Sequence, residues 1–149
     1  MKKKFIQAYI DVAERFSKLS TAKRLQVGAI VVKDDRIISI GYNGMPSGWT
    51  NDCEESVLWK DGQQLIEPML VSKPEVLHAE TNAIAKLAKS SESGEDASLF
   101  VTHQPCLECS KLIYQSGISA VYYAESYRLV DGIDFLKKSK IAVTKVERT

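Results

Sequence analysis

Residues 97–125 read ASLFVTHQPCLECSKLIYQSGISAVYYAE, and this stretch decides the fold. The apolar runs near 98–102 and 120–124 are rich in β-branched and aromatic residues, which favour strands. The segment between them, about 106–116, is predicted to be a helix. A strand, a helix and a second strand in this order predict parallel pairing, with the helix covering a face of the sheet.

The segments on both sides extend this pattern. Apolar residues near helical spacing predict an amphipathic first helix, and two short apolar runs around the polar turn at 33–36 predict a β-hairpin. These further elements are a helix over 5–19, strands over 27–32 and 37–42, helices over 78–89 and 132–138, and a strand over 141–146. The prediction is an α/β fold: one three-layer α/β/α domain over residues 1–149, with a mixed, mostly parallel five-stranded sheet.

The segment from 49 to 75 shows no sustained period. It contains Gly62, Pro68 and Pro74, which interrupt helices and strands. We expect a long excursion with a short helix or strand around 64–71. Long loops inside a compact domain are usually functional or mobile.

The composition is ordinary for a soluble globular protein, with 44% hydrophobic and 26% charged residues. The 20 basic and 19 acidic residues leave no strong net field, which argues against tight nucleic-acid binding. No apolar run is long enough for a secretory signal or a membrane span, so we expect a cytoplasmic protein without a membrane partner. Three cysteines are an odd number, and a reducing compartment favours metal ligation over disulfides.

Two short motifs supply one imidazole, two thiols and a free carboxylate: His78-Ala79-Glu80 and Pro105-Cys106-Leu107-Glu108-Cys109. Three nitrogen and sulfur ligands with an open fourth position are typical of a catalytic zinc site. The spacing of Cys106 and Cys109 places both sulfurs on one helix face, where a helix N-terminus lowers thiol pKa values. Glu80 is the proton carrier that such a site needs, and hydrolytic deamination is the reaction favoured.

Two other interpretations of these residues stay open. The Cys-x-x-Cys pair occurs in redox proteins of the thioredoxin kind. Alternatively, Cys53 or His103 supplies a fourth ligand and closes a structural zinc site.

Four segments, taken together and in order, resemble the zinc-dependent cytidine deaminase superfamily, and within it the deoxycytidylate deaminases. They are VGAIVV at 27–32, GYNGMPSG at 41–48, HAETNAI at 78–84 and PCLECSKLI at 105–113. The matching order covers most of the chain, from about 27 to 127. The metal motif is specific for the superfamily, and the Gly-Tyr-Asn-Gly loop favours its nucleotide-monophosphate branch.

The resemblance implies an enzyme that converts dCMP to dUMP for thymidylate synthesis. His78, Cys106 and Cys109 are then the zinc ligands, and Glu80 is the proton shuttle. The resemblance also implies that the backbone amide of Ala79 binds the pyrimidine O2 and that Asn43 binds the sugar.

The resemblance further implies a homo-hexamer that dCTP activates and dTTP inhibits, each with Mg²⁺. The residues expected at this regulatory site are Gly41, Asn43, Gly44 and Met45 of the glycine-rich loop, with Lys23 and Arg24. Phosphate groups favour arginine and lysine, so either Lys23-Arg24 or Tyr127-Arg128 can reach the substrate monophosphate, and we assign Tyr127 and Arg128 to the substrate. A second, structural zinc is not expected, because the excursion offers Cys53 and no histidine.

Two further alternatives remain beside this resemblance. One is a related deaminase that acts on another base or on RNA, which the missing basic stripe disfavours. The other is a zinc-stabilised nucleotide sensor without enzymatic activity.

Overall fold

A computed structural model describes residues 1–148, which form four α-helices and seven β-strands. In chain order they are α1 (Lys3–Ser17), β1 (Gly28–Lys33), β2 (Arg36–Tyr42), β3 (Glu54–Lys60), β4 (Gln63–Ser72), α2 (Ala79–Ala88), β5 (Ser98–His103), α3 (Leu107–Gln115), β6 (Ala120–Glu125), α4 (Asp131–Lys138) and β7 (Ala142–Lys145). No helix in this range is both long and apolar enough to cross a membrane.

The main sheet has five strands in the order β2-β1-β5-β6-β7, and the prediction of a mixed sheet is confirmed. Strand β1 pairs antiparallel with both of its neighbours, whereas β5–β6 and β6–β7 are parallel. Four strands therefore run in one direction and β1 runs in the other. The parallel pairs need crossover connections, which α3 and α4 provide. Strands β1 and β2 need only a tight turn, in which Asp34 and Asp35 both have positive φ.

Helices cover both faces of the sheet, as the three-layer prediction requires. Alternate residues of β1 point to opposite faces, so Ala29 and Val31 belong to one buried cluster and Ile30 and Val32 to the other. The first cluster packs against α2, α3 and α4, and the second packs against α1. On the α1 side, the ring of Phe100 stacks on that of Tyr122 with centroids 4.6 Å apart.

The excursion is a β-hairpin, formed by β3 and β4 as a separate two-stranded sheet. The strand expected around 64–71 lies within β4, but β3 was not predicted from the sequence. The hairpin projects from the domain and exposes both faces, so its residues show no hydrophobic alternation; Ile66 is 100% exposed and Trp59 63%. The missed signal is Asp61-Gly62, a pair with positive φ at both residues that is typical of a two-residue hairpin turn.

Candidate active site

Two helix N-termini meet beside the carboxyl end of β5. His78 immediately precedes α2 and Cys106 immediately precedes α3, both with extended backbone conformations. The Cys106 sulfur accepts a hydrogen bond from the backbone N–H of Cys109 in the first turn of α3. This cap holds the two cysteines on one side of the helix end and turns them toward His78.

Three donor atoms converge at this point. Nδ1 of His78 lies 3.3 Å from the Cys109 sulfur and 3.7 Å from the Cys106 sulfur. All three donor atoms lie within 4.8 Å of one another. One imidazole nitrogen and two sulfurs are a donor set that suits zinc. The residues therefore fit the metal that the sequence motif implies.

No fourth side chain joins this group in the described part of the chain. His103 instead places its Nδ1 2.9 Å from the Thr102 hydroxyl, and the Cys53 sulfur lies 3.6 Å from the Thr21 hydroxyl. Neither Cys53 nor His103 joins the donor group, so these residues do not form the closed structural zinc site that the sequence left open. A three-donor site leaves a position for water or substrate.

The two cysteines differ in their affinity for protons. Hydrogen bonds from the Cys109 thiol and from His78 lower the pKa of Cys106 to about 4. The hydrogen bond to Cys106 and burial raise the pKa of Cys109, and the hydrogen bond with Cys106 also raises that of His78. The two thiols are therefore coupled, because ionisation of one sulfur raises the pKa of the other.

Glu80 lies in the first turn of α2, two residues beyond His78, and is only 4% exposed. Burial raises the pKa of its carboxyl to about 7, although a backbone hydrogen bond and the neighbouring His78 act in the opposite direction. A carboxyl with a pKa near neutral can both accept and donate a proton at physiological pH. The arrangement thus places a proton carrier beside a metal-binding group.

A cavity of about 780 Å³ opens over these groups. Its volume is in the range of small-molecule sites. The predicted site residues that line it are Arg24, Asn43, His78, Ala79, Glu80, Cys106 and Tyr127, and Cys53 and His103, the two candidates for a fourth ligand, line it as well. Lys23, Gly41, Gly44, Met45, Cys109 and Arg128 are not among its lining residues, although Cys109 completes the donor cluster behind it.

Asn43 also has a structural role, which was not predicted from the sequence. Its Nδ2 donates to the carbonyl oxygen of Leu25, and its Oδ1 accepts from the backbone N–H of Val27, each at 2.8 Å. The side chain therefore fixes the loop before β1 to the end of β2. One amide hydrogen and one lone pair remain for a ligand.

Gly41 and Gly132 allow helices to pack directly against the site. A Cβ on Gly41 would lie 2.3 Å from the carbonyl oxygen of Ala79, at the start of α2. A Cβ on Gly132 would lie 2.3 Å from the carbonyl oxygen of Pro105 and 2.9 Å from that of Cys106. Gly132 was not predicted as a site residue, because only the packing of α4 brings it to Cys106.

Ser72 and Lys73 also line the cavity and were missed. They follow β4, so their position depends on a hairpin that leaves the domain and returns to it. The available signal is that Lys73 lies five residues before the ligand motif, directly ahead of Pro74.

A three-layer α/β/α domain with a His-Cys-Cys group beside a buried carboxyl defines the class of zinc-dependent nucleobase deaminases. Residues 2–125 match the sequence model of the cytidine and deoxycytidylate deaminase zinc-binding region. The chain belongs to the cytidine and deoxycytidylate deaminase family.

Individual relatives agree with this assignment. Human deoxycytidylate deaminase is 40% identical over 118 residues, which cover 77% of this chain and 61% of the relative. ComE operon protein 2 of Bacillus subtilis is 40% identical over 109 residues, covering 73% and 53% of the two chains. This chain thus spans little more than half the length of these curated relatives.

One solved structure matches this chain over almost the entire length of both proteins. The dCMP deaminase of cyanophage S-TIM5, crystallised with dCMP and dUMP, is 48% identical with a TM-score of 0.85. The alignment covers 97% of this chain and 98% of the phage protein. The similarity therefore includes the whole fold, the hairpin segment as well as the metal motifs.

Proposed function

We propose that this protein, as a single domain over residues 1–149, deaminates dCMP hydrolytically to dUMP, releases ammonia and so supplies dUMP for thymidylate synthesis. The observation that carries the proposal is the buried carboxyl of Glu80 beside an open three-donor cluster in a cavity of about 780 Å³. The names of the human and phage relatives support the choice of dCMP.

In this proposal His78, Cys106 and Cys109 hold zinc through Nδ1 and the two sulfurs. A bound zinc ion supplies a water molecule acidified for attack on the cytosine ring. Glu80 would accept one proton from the attacking water and pass it to the ring nitrogen; it would then take the second proton from the new hydroxyl on the attacked carbon and give it to the amine, which leaves as ammonia while the carbonyl forms. Its burial excludes bulk water from this transfer, and its raised pKa suits both directions of transfer.

Four further residues are proposed to bind the substrate: Ala79, Asn43, Tyr127 and Arg128. Ala79 is the first residue of α2, where the backbone N–H has no partner within the helix, so it can donate to the pyrimidine O2. Asn43 offers its remaining amide hydrogen to the sugar. Tyr127 lines the cavity, and Arg128 follows it on the same loop.

The family resemblance supports a homo-hexamer in the cytoplasm, activated by dCTP and inhibited by dTTP, each with Mg²⁺. The residues proposed for the effector site are Gly41, Asn43, Gly44, Met45, Lys23 and Arg24. No atom lies within 4 Å of the position of a Cβ on Gly44, which leaves room beside this residue for a phosphate group.

The test is ammonia release from dCMP, CMP, deoxycytidine and dCTP by zinc-loaded protein. We expect the highest kcat/KM with dCMP, higher turnover with dCTP and Mg²⁺, and lower turnover with dTTP and Mg²⁺. Zinc-replete protein that releases no ammonia from any of the four would contradict the proposed activity. If neither dCTP nor dTTP changes turnover, the proposed allosteric regulation is contradicted, but the proposed activity is not.

A further inference from the structure

The sulfur of Cys109 contacts a threonine to which the sequence assigned no role. Apart from the donor group and Glu80, the side chain that meets this sulfur within residues 1–148 is Thr81, whose hydroxyl oxygen lies 3.7 Å from it. Thr81 is in the first turn of α2, whereas Cys109 is in α3. The contact therefore joins the two helices that carry the donor atoms.

The usual acceptors for a helical threonine hydroxyl are already engaged here. Such a hydroxyl commonly donates to the backbone carbonyl three or four residues earlier, which for Thr81 belongs to His78 or Leu77. The His78 carbonyl accepts a backbone N–H from the next turn of α2 at 2.9 Å, and the Leu77 carbonyl accepts one from the glycine-rich loop at 3.1 Å. The Thr81 hydroxyl instead meets the Cys109 sulfur.

The two sulfurs of the donor group thus have hydrogen-bond partners of different origin. The Cys106 sulfur accepts from the backbone N–H of Cys109 at 3.5 Å, a bond that α3 provides by itself. The Cys109 side chain is only 4% exposed, so water is largely excluded as its partner. A sulfur bound to a metal carries no hydrogen, so in the metal-loaded protein the Thr81 hydroxyl must be the donor.

We propose that the Thr81 hydroxyl donates a hydrogen bond to the metal-bound sulfur of Cys109 and that Thr81 is a positioning residue of the zinc site. The bond holds the sulfur in its orientation toward His78. It also withdraws electron density from the thiolate, which then gives less charge to the metal. This inference rests on the proposed zinc site, but not on the identity of the substrate.

The test removes the hydroxyl and keeps the shape of the side chain, in Thr81→Val. Loss of a hydrogen-bonding partner of a metal ligand weakens metal binding, and we expect a loss of about 10-fold in zinc affinity, measured by competition with a chelator. In cobalt-substituted protein, we expect the sulfur-to-cobalt charge-transfer band to move to longer wavelength. A thiolate without this hydrogen bond gives up electron density more readily, which lowers the energy of the transition.

Two further variants separate the hydrogen bond from side-chain packing. Thr81→Ser keeps the hydroxyl, so its zinc affinity and cobalt band should stay close to those of the unmodified protein. Thr81→Ala removes the hydroxyl but introduces the residue with the highest helix propensity, so α2 is retained and the band should match that of Thr81→Val. Thr144→Val, at an exposed threonine of β7, is the matched control and should change neither quantity.

A cobalt band that stays in place in both Thr81→Val and Thr81→Ala would overturn the proposal, even where zinc affinity falls. A loss of affinity that Thr81→Ser shares would assign Thr81 a packing role, which overturns it as well. Neither measurement needs a substrate, so zinc-loaded protein that releases no ammonia contradicts the proposed function and not this inference. Unmodified protein that binds neither zinc nor cobalt contradicts both.

Discussion

Glu80 has the environment of a residue that carries protons rather than one that forms a structural ion pair. Its carboxyl is buried, its pKa is raised to about 7, and the ion pairs within residues 1–148 do not include it. A buried carboxyl without a cationic partner costs stability, so its position beside the donor cluster indicates a chemical role.

The variant Glu80→Gln tests this role. The amide keeps the shape of the side chain but cannot transfer protons, so we expect kcat to fall about 10²- to 10⁴-fold. Zinc content, measured by atomic absorption, is expected to stay at one ion per chain. Glu147→Gln, at an exposed glutamate near the end of the chain, is the control. Full activity in Glu80→Gln would show that Glu80 is not the proton carrier, whereas no activity even in the unmodified protein would favour the interpretation as a nucleotide sensor.

Metal binding is expected to release protons, because the pKa values of Cys106 and Cys109 are shifted in opposite directions. Zinc binds thiolates and a neutral imidazole, so the proton that the coupled cysteine pair retains must leave, and so must any proton on His78. Zinc affinity should therefore rise with pH over the neutral range.

Titration calorimetry in two buffers of different ionisation enthalpy measures this release, and we expect at least one proton per zinc ion. The control is Cys53→Ser, since Cys53 lies outside the donor group and should not alter the count. Zinc binding without proton release would show that both sulfurs are already ionised in the metal-free protein.

At the scale of elements, close packing of helices positions the metal ligands. Helix α4 contacts the chain at Cys106 only because residue 132 has no side chain. In Gly132→Ala the new methyl group meets backbone atoms, which cannot move away without displacing Cys106. We expect a loss of about 1–3 kcal/mol in the free energy of unfolding, together with weaker zinc binding.

Denaturant unfolding and competition with a zinc chelator measure these two effects. Gly44→Ala is the matched control for stability, because a Cβ there meets no atom within 4 Å. Unchanged zinc affinity in Gly132→Ala would show that α4 does not position Cys106.

The sequence pattern of apolar residues predicted those helices and strands that bury one or both of their faces. Strands β5 and β6 are short apolar runs between turn residues, and α1 has a clear apolar stripe, so each was found to within a few residues. Strand β3 has exposed residues on both sides and therefore no such pattern. The donor cluster was predictable because each motif lies within one helix start. The positions of Ser72 and Gly132 at the site were not predictable, because packing between segments distant in the sequence brings them there.

For the whole molecule, the two buried clusters contain no residue of the hairpin strands. The main sheet should therefore fold without them. Glu55 and Val71 face each other across β3 and β4, so replacing residues 56–70 with Asn-Gly gives a short hairpin that keeps Ser72 and Lys73. We expect the shortened protein to unfold cooperatively at nearly the same temperature and to keep its zinc.

Circular dichroism during heating measures this outcome. Phe100→Ala is the contrasting variant: its ring is 0% exposed, so we expect it to lose about 3–5 kcal/mol. Loss of cooperative unfolding in the shortened protein would show that the hairpin belongs to the core of the fold.

The donor atoms lie on two helix starts separated by 28 residues along the chain. An ion held between them would fasten α2 to α3 as a crosslink does, in addition to any chemistry it performs. Removal of the metal would then loosen the contact between α2 and α3 in addition to abolishing activity. The opened helix ends would become targets for proteases, so cellular zinc supply would govern how long each molecule survives.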